Sequence, residues 1–170
     1  MSRVFPTGGA GGGPVVYSWP DVWEWDGVGF ERSSSLPCGS FEANFAFDEA
    51  RGTQLATTSG TTWLRRAGAW VAVGPAPAAV APGLLAYHPG RGEVVAIGSP
   101  DQSWNGTTWT PMPPVVGRNS LVLVAGDPIR GRLVGLGLGV ANQATVWESG
   151  SSGTWQLVPT SVAPSLDWTF

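Results

Sequence analysis

Short apolar runs separated by turn residues follow one another along the chain. Phe45-Ala46-Phe47 alternates as a half-buried strand does, and Gln54-Leu55-Ala56-Thr57 has the pattern of its partner strand. Val94-Val95-Ala96-Ile97 is apolar and mostly β-branched, which is typical of a strand at the centre of a sheet. Glycine and proline recur too often to leave room for an apolar stretch of helical period. The pattern predicts an all-β protein.

The strands are organised in a repeat of about 40 residues. An arginine-glycine pair follows a polar residue by three positions in three places, and its arginines lie 40 and 39 positions apart. The arginines are Arg51, Arg91 and Arg130, and the polar residues are Asp48, His88 and Asp127. An aromatic residue closes each unit with nearly the same period, at Phe30, Trp70, Trp109 and Trp155. Independent marks that share one period identify a repeat architecture.

Each unit has the pattern of four strands of one antiparallel sheet. The units span residues 41–73, 84–110 and 121–157, and a further unit combines residues 1–33 with residues 164–170. Residues 166–170 stop where a first strand should end, and residues 3–7 resemble the second strand that follows each arginine-glycine pair. We therefore expect a single domain, residues 1–170, in which the terminal sheet is shared between the two ends of the chain.

Local turn chemistry supports these hairpins. The carboxylate of Asp48 is expected to accept hydrogen bonds from backbone amides ahead of it, and Gly52 is expected to take the left-handed conformation that closes the turn. Asn105-Gly106 is typical of a hairpin turn. His88 replaces an aspartate at the head of the same turn and has no second metal ligand near it in sequence. We interpret His88 as a turn residue.

Three motifs resemble those of the Kelch-like propeller proteins of bacteria. They are Asp48…Arg51-Gly52, Trp23-Glu24-Trp25-Asp26-Gly27 and Trp104-Asn105-Gly106-Thr107-Thr108-Trp109. The resemblance runs through nearly the whole chain and implies a galactose-oxidase-like β-propeller, in which each repeat forms one four-stranded antiparallel blade. The sequence departs from the family at the double glycine after the second strand, where it has Thr58-Ser59, Gly98-Ser99 and Gly137-Leu138. It also has Arg65 and Ser149 in two units at the position of Trp25.

Two arrangements of the blades are open at this point. In the first, residues 166–170 pair with residues 3–7 and close a ring of about four blades, which removes the exposed strand edges. In the second, the chain is a fragment or a protomer of a larger propeller, because Kelch-like propellers usually have six or seven blades. We expect either a monomer or self-association through edge strands.

Composition narrows the range of partners. The formal net charge of −3 gives no electrostatic reason to expect nucleic acid or an anionic membrane. No apolar run approaches the roughly 20 residues needed to cross a bilayer, so no membrane insertion is expected. The first residues lack the apolar core of a signal peptide. The compartment is left unassigned, and the resemblance is compatible with an extracellular or periplasmic location.

No cofactor or metal site is predicted. The copper chemistry of galactose oxidase would need two histidines and two tyrosines, whereas this chain has one histidine together with Tyr17 and Tyr87. Cys38 is the single cysteine and cannot form an internal disulfide. Carboxylate pairs such as Glu24 and Asp26 lie in turns or alternate along strands, and nothing marks them as a general acid and base.

Most of the ten tryptophans recur at fixed repeat positions, which predicts packing between blades. They are Trp23, Trp63, Trp147, Trp70, Trp109 and Trp155. In a propeller, the loops after each second strand share a face with the connections between blades, and loops on a rigid scaffold are where binding usually occurs. This long-loop face is expected to carry residues 8–20, 98–103 and 135–143. The predicted binding residues on it are Tyr17, Trp19, Arg118, Asn119, Asn142 and Gln143.

The sequence favours a non-enzymatic interaction module that binds a protein or a glycan through the long-loop face. The reason is that a repeat scaffold is present, while no catalytic constellation can be identified. Two alternatives stay open. One is a glycan-active enzyme that uses loop carboxylates, and the other is an inactive fragment of a larger propeller.

Overall fold

The computed structural model of the protein describes residues 2–5, 15–18, 21–25, 27–37, 43–58, 60–78, 80–114, 118, 121–139 and 143–159. For residues 2–5, 15–18 and 80–83 the description is limited to the backbone. These parts of the chain form four antiparallel sheets of four strands each. Within them there is no helix, and hence none long and apolar enough to cross a membrane.

Each sheet is built from four strands that are consecutive in the chain. The first sheet comprises β1 (Ser2–Phe5), β2 (Val15–Ser18), β3 (Asp21–Trp25) and β4 (Phe30–Ser35). The second comprises β5 (Asn44–Asp48), β6 (Thr53–Thr58), β7 (Thr61–Arg66) and β8 (Ala69–Pro75). The third comprises β9 (Val80–His88), β10 (Glu93–Gly98), β11 (Gln102–Trp104) and β12 (Trp109–Pro111). The fourth comprises β13 (Leu121–Asp127), β14 (Arg132–Leu138), β15 (Ala144–Ser149) and β16 (Trp155–Val158). The prediction of an all-β protein made of four-stranded antiparallel sheets is confirmed.

The turns between first and second strands have the predicted chemistry. The backbone N–H of Arg51 donates to the Asp48 carboxylate at 3.3 Å, and Gly52 is left-handed with φ of 59°. In the third sheet, the backbone N–H of Arg91 donates to the carbonyl of His88 at 3.1 Å. His88 therefore heads its turn, as its place in the repeat predicts.

The sheets pack against one another in chain order, and the first strands of the second, third and fourth sheets lie side by side. β5 lies against β9, and β9 lies against β13. One hydrophobic cluster fills each joint. The joint between the first and second sheets holds Val22, Leu36, Ala43, Phe45, Ala56 and Trp70. The next joint holds Ala46, Leu55, Leu64, Leu85, Val94, Ala96 and Trp104. The joint between the third and fourth sheets is centred on Ala86, Val95, Leu133, Trp147 and Trp155.

In the second, third and fourth sheets, the tryptophan that closes the unit also attaches the sheet to the preceding one. Its indole N–H donates to a side-chain oxygen across the joint. The pairs are Trp70 with Ser34 Oγ at 2.8 Å, Trp109 with Thr62 Oγ1 at 2.8 Å and Trp155 with Asp101 Oδ2 at 2.9 Å. Because a buried indole N–H needs an acceptor, this bond fixes the position of the ring as well as its burial. The predicted packing role of these three tryptophans is confirmed.

The first sheet differs from the expectation. The sequence suggests the second position for residues 3–7, whereas the structure places β1 first and β2 second. The register gives the reason, because Val16 lies opposite Trp23 just as Ala56 lies opposite Trp63 in the second sheet. The glycine-rich segment 6–14 therefore links a first strand to a second strand. Residues 166–170, which the sequence assigns to this sheet, lie outside the described residues.

Candidate functional site

Of the residues predicted for the long-loop face, the structure describes the side chains of Arg118 and Gln143. Trp19, Asn119 and Asn142 lie outside the described residues. Tyr17 stands in β2 opposite Val22, and its side chain is also outside the description. Gln143 is exposed, and its carbonyl accepts the N–H of Gly139 at 2.7 Å. Residues 135–138 belong to β14, so the predicted insertion is limited to residues 139–143. Binding at this face stays a prediction.

Arg118 lies on the predicted face, but its guanidinium is engaged within the protein. It forms a bidentate ion pair with the carboxylate of Asp101, in which the distance from Arg118 Nη2 to Asp101 Oδ1 is 2.8 Å. The guanidinium also lies over the ring of Trp155, 5.2 Å from its centroid. Only 10% of the Arg118 side chain is exposed. The same carboxylate accepts the backbone N–H of Gly98 at 2.9 Å. Arg118 therefore helps to join the third sheet to the fourth.

A cavity of about 260 Å³ opens between the first and second sheets. We call it the interface cavity. Its lining consists of Glu24, Phe47, Gly52, Thr53, Gln54, Arg65 and Gly68. These residues lie at the end of the sheets that carries the turns after β5 and β7. The interface cavity is therefore at the opposite end of the sheets from the loop that follows β6.

Three polar side chains form one network at the interface cavity. Arg65 on β7 makes an ion pair with Glu24 on β3, so the pair crosses the joint between the sheets. Gln54 Nε2 donates to Glu24 Oε1 at 2.6 Å, and Arg65 Nη1 donates to Gln54 Oε1 at 3.1 Å. The side chains of Glu24 and Arg65 are each 18% exposed. A carboxylate, a guanidinium and an amide thus hold one another in place beside the cavity.

The guanidinium of Arg65 keeps one donor unused. Its Nε–H is buried and has no hydrogen-bond partner among the described residues. A buried donor without an acceptor is energetically unfavourable, and most such groups in folded proteins are paired. The backbone carbonyl of Arg65 accepts the Thr53 hydroxyl at 2.7 Å, which fixes the strand that carries this side chain. The unused Nε–H is shielded from solvent, and therefore also from a ligand in the interface cavity.

Sequence reasoning did not identify this site. Arg65 lies opposite the closing aromatic Trp70, in the register position that Trp25 and Trp104 occupy in other sheets. A charged residue in place of a recurring tryptophan was the signal in the sequence. Glu24 is 41 positions away from Arg65, and only the packing of the first sheet on the second brings the two together.

His88 is a second buried polar residue that lies at a joint. Its Nε2 is 3.0 Å from the carbonyl oxygen of Gly150, and its Nδ1 has no partner among the described residues. Burial lowers the pKa of His88 below its ordinary value, and nearby Arg91 acts in the same direction. No cluster of three or more histidine, cysteine or acidic side chains suited to a metal occurs in the part of the chain that the structure describes. His88 is therefore a contact between the third and fourth sheets.

Comparison with known proteins adds no assignment to this geometry. No protein-family model matches the chain, and no curated protein matches its sequence. The arguments for its function therefore rest on the residues described above.

Proposed function

We propose that the protein is a non-enzymatic glycan-binding module of the Kelch-like β-propeller type, and that the glycan occupies the interface cavity. The observation that carries this proposal is the network of Glu24, Gln54 and Arg65 beside a cavity of about 260 Å³. The repeat and the four antiparallel sheets packed in chain order support the propeller class.

The chemistry of the lining suits sugar hydroxyl groups, which both donate and accept hydrogen bonds. Glu24 offers acceptor oxygens, the guanidinium of Arg65 offers donors, and the amide of Gln54 offers both. The ring of Phe47 supplies an apolar wall for the C–H face of a sugar. Because the charges of Glu24 and Arg65 offset each other, the cavity favours a neutral glycan over a strongly charged one. The volume of about 260 Å³ lies just below the range typical of small-molecule pockets, so we expect a short glycan to bind.

The carboxylate content of the interface cavity favours binding over hydrolysis. Glycosidases generally use two carboxyl groups on either side of the scissile bond. Among the described lining residues, Glu24 is the carboxylate. Its oxygen is already held by Gln54 and Arg65, which suits a fixed acceptor better than a group that transfers protons.

The proposal is tested by screening the protein against a panel of neutral and acidic oligosaccharides and measuring the affinity of hits by calorimetry. The variants Arg65→Met and Glu24→Gln are compared with Arg66→Ala, whose exposed side chain does not line the cavity. We expect a neutral glycan to bind the wild type, with at least a tenfold loss in both cavity variants and no change in Arg66→Ala.

Three outcomes would contradict the proposal. One is that no glycan binds, and another is that the cavity variants retain wild-type affinity. In the latter case Tyr17→Ala and Gln143→Ala would test the long-loop face. The third is release of reducing ends from a glycan that stops in Glu24→Gln, which would favour the enzyme.

A further inference from the structure

The fourth sheet exposes a face that the second and third sheets bury. In the second, third and fourth sheets, one alanine on the first strand pairs with an apolar residue on the second strand. The pairs are Ala46 with Leu55, Ala86 with Val95 and Ala125 with Val134. The first two pairs are buried against the following sheet. Ala125 is exposed, and Leu123 beside it is 48% exposed. The fourth sheet thus has the apolar face of a joint without a covering sheet among the described residues.

The arginines in the turns between first and second strands show the same difference between the fourth sheet and the two before it. Arg51 in the second sheet donates to the carbonyl of Asn105 in the hairpin of the third sheet. Arg91 in the third sheet donates to the carbonyl of Ser151 in the fourth at 3.0 Å. Arg130, at the same place in the fourth sheet, contacts Asp127 and Glu148, which belong to its own sheet. In the described part of the chain, this polar contact with a following sheet therefore stops at the fourth sheet.

The first sheet has the complementary face. Phe30 is at the closing position, and Trp25 pairs with it on the neighbouring strand. Their rings form an edge-to-face pair with centroids 5.2 Å apart. Phe30 is 44% exposed, whereas Trp70 and Trp155 at the same position are buried against the preceding sheet. The first sheet thus exposes the aromatic residues with which the other sheets dock onto their predecessors.

The two exposed faces also match in hydrogen-bonding character. Thr62 and Asp101 are the acceptors for two of the closing tryptophans. Each of them lies three residues before the residue that pairs with the closing aromatic of its own sheet. In the fourth sheet this position is Val146, whose side chain has no hydrogen-bond acceptor. Phe30 has no N–H to donate. Packing of the first sheet on the fourth would therefore leave neither a donor nor an acceptor unpaired at this point.

We propose that the fourth sheet of one copy of this chain receives the first sheet of a second copy, in continuity with the three joints inside each chain. Two such reciprocal joints, related by a twofold axis, close a ring of eight sheets. A head-to-tail contact that closes gives a ring, and eight blades lie within the range of propellers. The second copy is the occupant because it presents the next unit of the repeat, and because no described residue of the same chain covers either face.

The test measures the mass of the wild type and of variants by sedimentation over a range of concentrations. We expect a discrete species of twice the 17.7 kDa chain. Leu123→Glu on the fourth sheet and Phe30→Glu on the first should each weaken the dimer at least tenfold. Leu157→Glu is the control, since Leu157 pairs with Trp147 on the other face of the fourth sheet and is 54% exposed. An equimolar mixture of Leu123→Glu and Phe30→Glu chains should recover a dimer, because one intact joint can form between them.

Hydrogen exchange on the wild type gives a measurement that does not depend on the variants. Strands β4 and β13 should gain protection as concentration rises, while β6 and β10 should not change. A monomer at every concentration, a mass that rises without limit, or a dimer that Leu123→Glu and Phe30→Glu leave intact would overturn the proposal.

Discussion

Glu24 of the first sheet and Arg65 of the second form an ion pair across the joint between the two sheets. Gln54 contacts both partners, so the pair belongs to a network that fixes how the sheets face each other. The same network lines the interface cavity. One contact therefore serves the packing of the sheets and the proposed binding site.

Removing Arg65 should weaken the joint. Arg65→Ala leaves the Glu24 carboxylate partly buried without its cation, and we expect unfolding free energy to fall by about 2 kcal/mol. The measurement is urea unfolding monitored by tryptophan fluorescence. Arg66→Ala removes the neighbouring exposed arginine and should change stability by less than about 0.5 kcal/mol. Equal losses in the two variants would contradict a role for the ion pair.

Asp101 should contribute more to stability than Asp127, whose side chain is only partly buried. Asp101→Asn removes the negative charge that pairs with Arg118, and it changes the carboxylate that accepts the indole N–H of Trp155. The Asp101 side chain is almost fully buried. We expect a loss of about 3 kcal/mol, because the arginine is left without its partner. Asp127→Asn, which affects an exposed pair with Arg130, should have a much smaller effect. Thermal unfolding of both variants checks the order, and the reverse order would refute it.

His88 should make stability depend on pH in a defined window. Burial lowers its pKa from the ordinary 6.5, so the folded protein binds this proton more weakly than the unfolded chain does. The stabilisation is fully present above pH 6.5 and is lost as the pH falls below that value toward the folded pKa. Urea midpoints should therefore decrease from about pH 7 to about pH 5. Because His88 is the only histidine, His88→Asn should abolish this slope, and a persisting slope would point to other groups.

Gly126 should tolerate no side chain, because a Cβ there would lie 2.6 Å from the carbonyl oxygen of Tyr87 on the neighbouring sheet. Gly126→Ala must push the fourth sheet away from the third, and we expect a loss of about 1–3 kcal/mol. Gly74→Ala is the matched control in a strand, since a Cβ at Gly74 meets nothing within 4 Å. Chemical unfolding compares the two, and a neutral Gly126→Ala would mean that the sheets can separate at little cost.

Local features of the fold could be predicted from the sequence because the interacting groups are close in the chain. Asp48 and Arg51 are three positions apart and meet within one turn. The closing tryptophans recur with the turns, and their burial follows from that recurrence. The position of β2 could not be predicted in the same way, because the glycine-rich segment before it hides which apolar run pairs with β3.

The candidate site shows the same limit. Arg118 is of a residue type that often binds ligands, but its guanidinium is paired with the carboxylate of Asp101. Only the packing of the third and fourth sheets reveals this ion pair. Arg65 appeared in the sequence as a departure from a repeated tryptophan, with no sign of its partner. Contacts of this kind depend on which faces of two sheets meet.

By itself, the sequence determined the all-β class, the turns after β5 and β9 and the period of the repeat, because alternation and turn formation involve residues a few positions apart. The tertiary structure decided that Glu24 meets Arg65, that Asp101 holds Arg118 and that the faces of the first and fourth sheets are exposed. The reason is physical. A side chain on a strand points to one face or the other by its position, but its partner is set by the sheet that packs there.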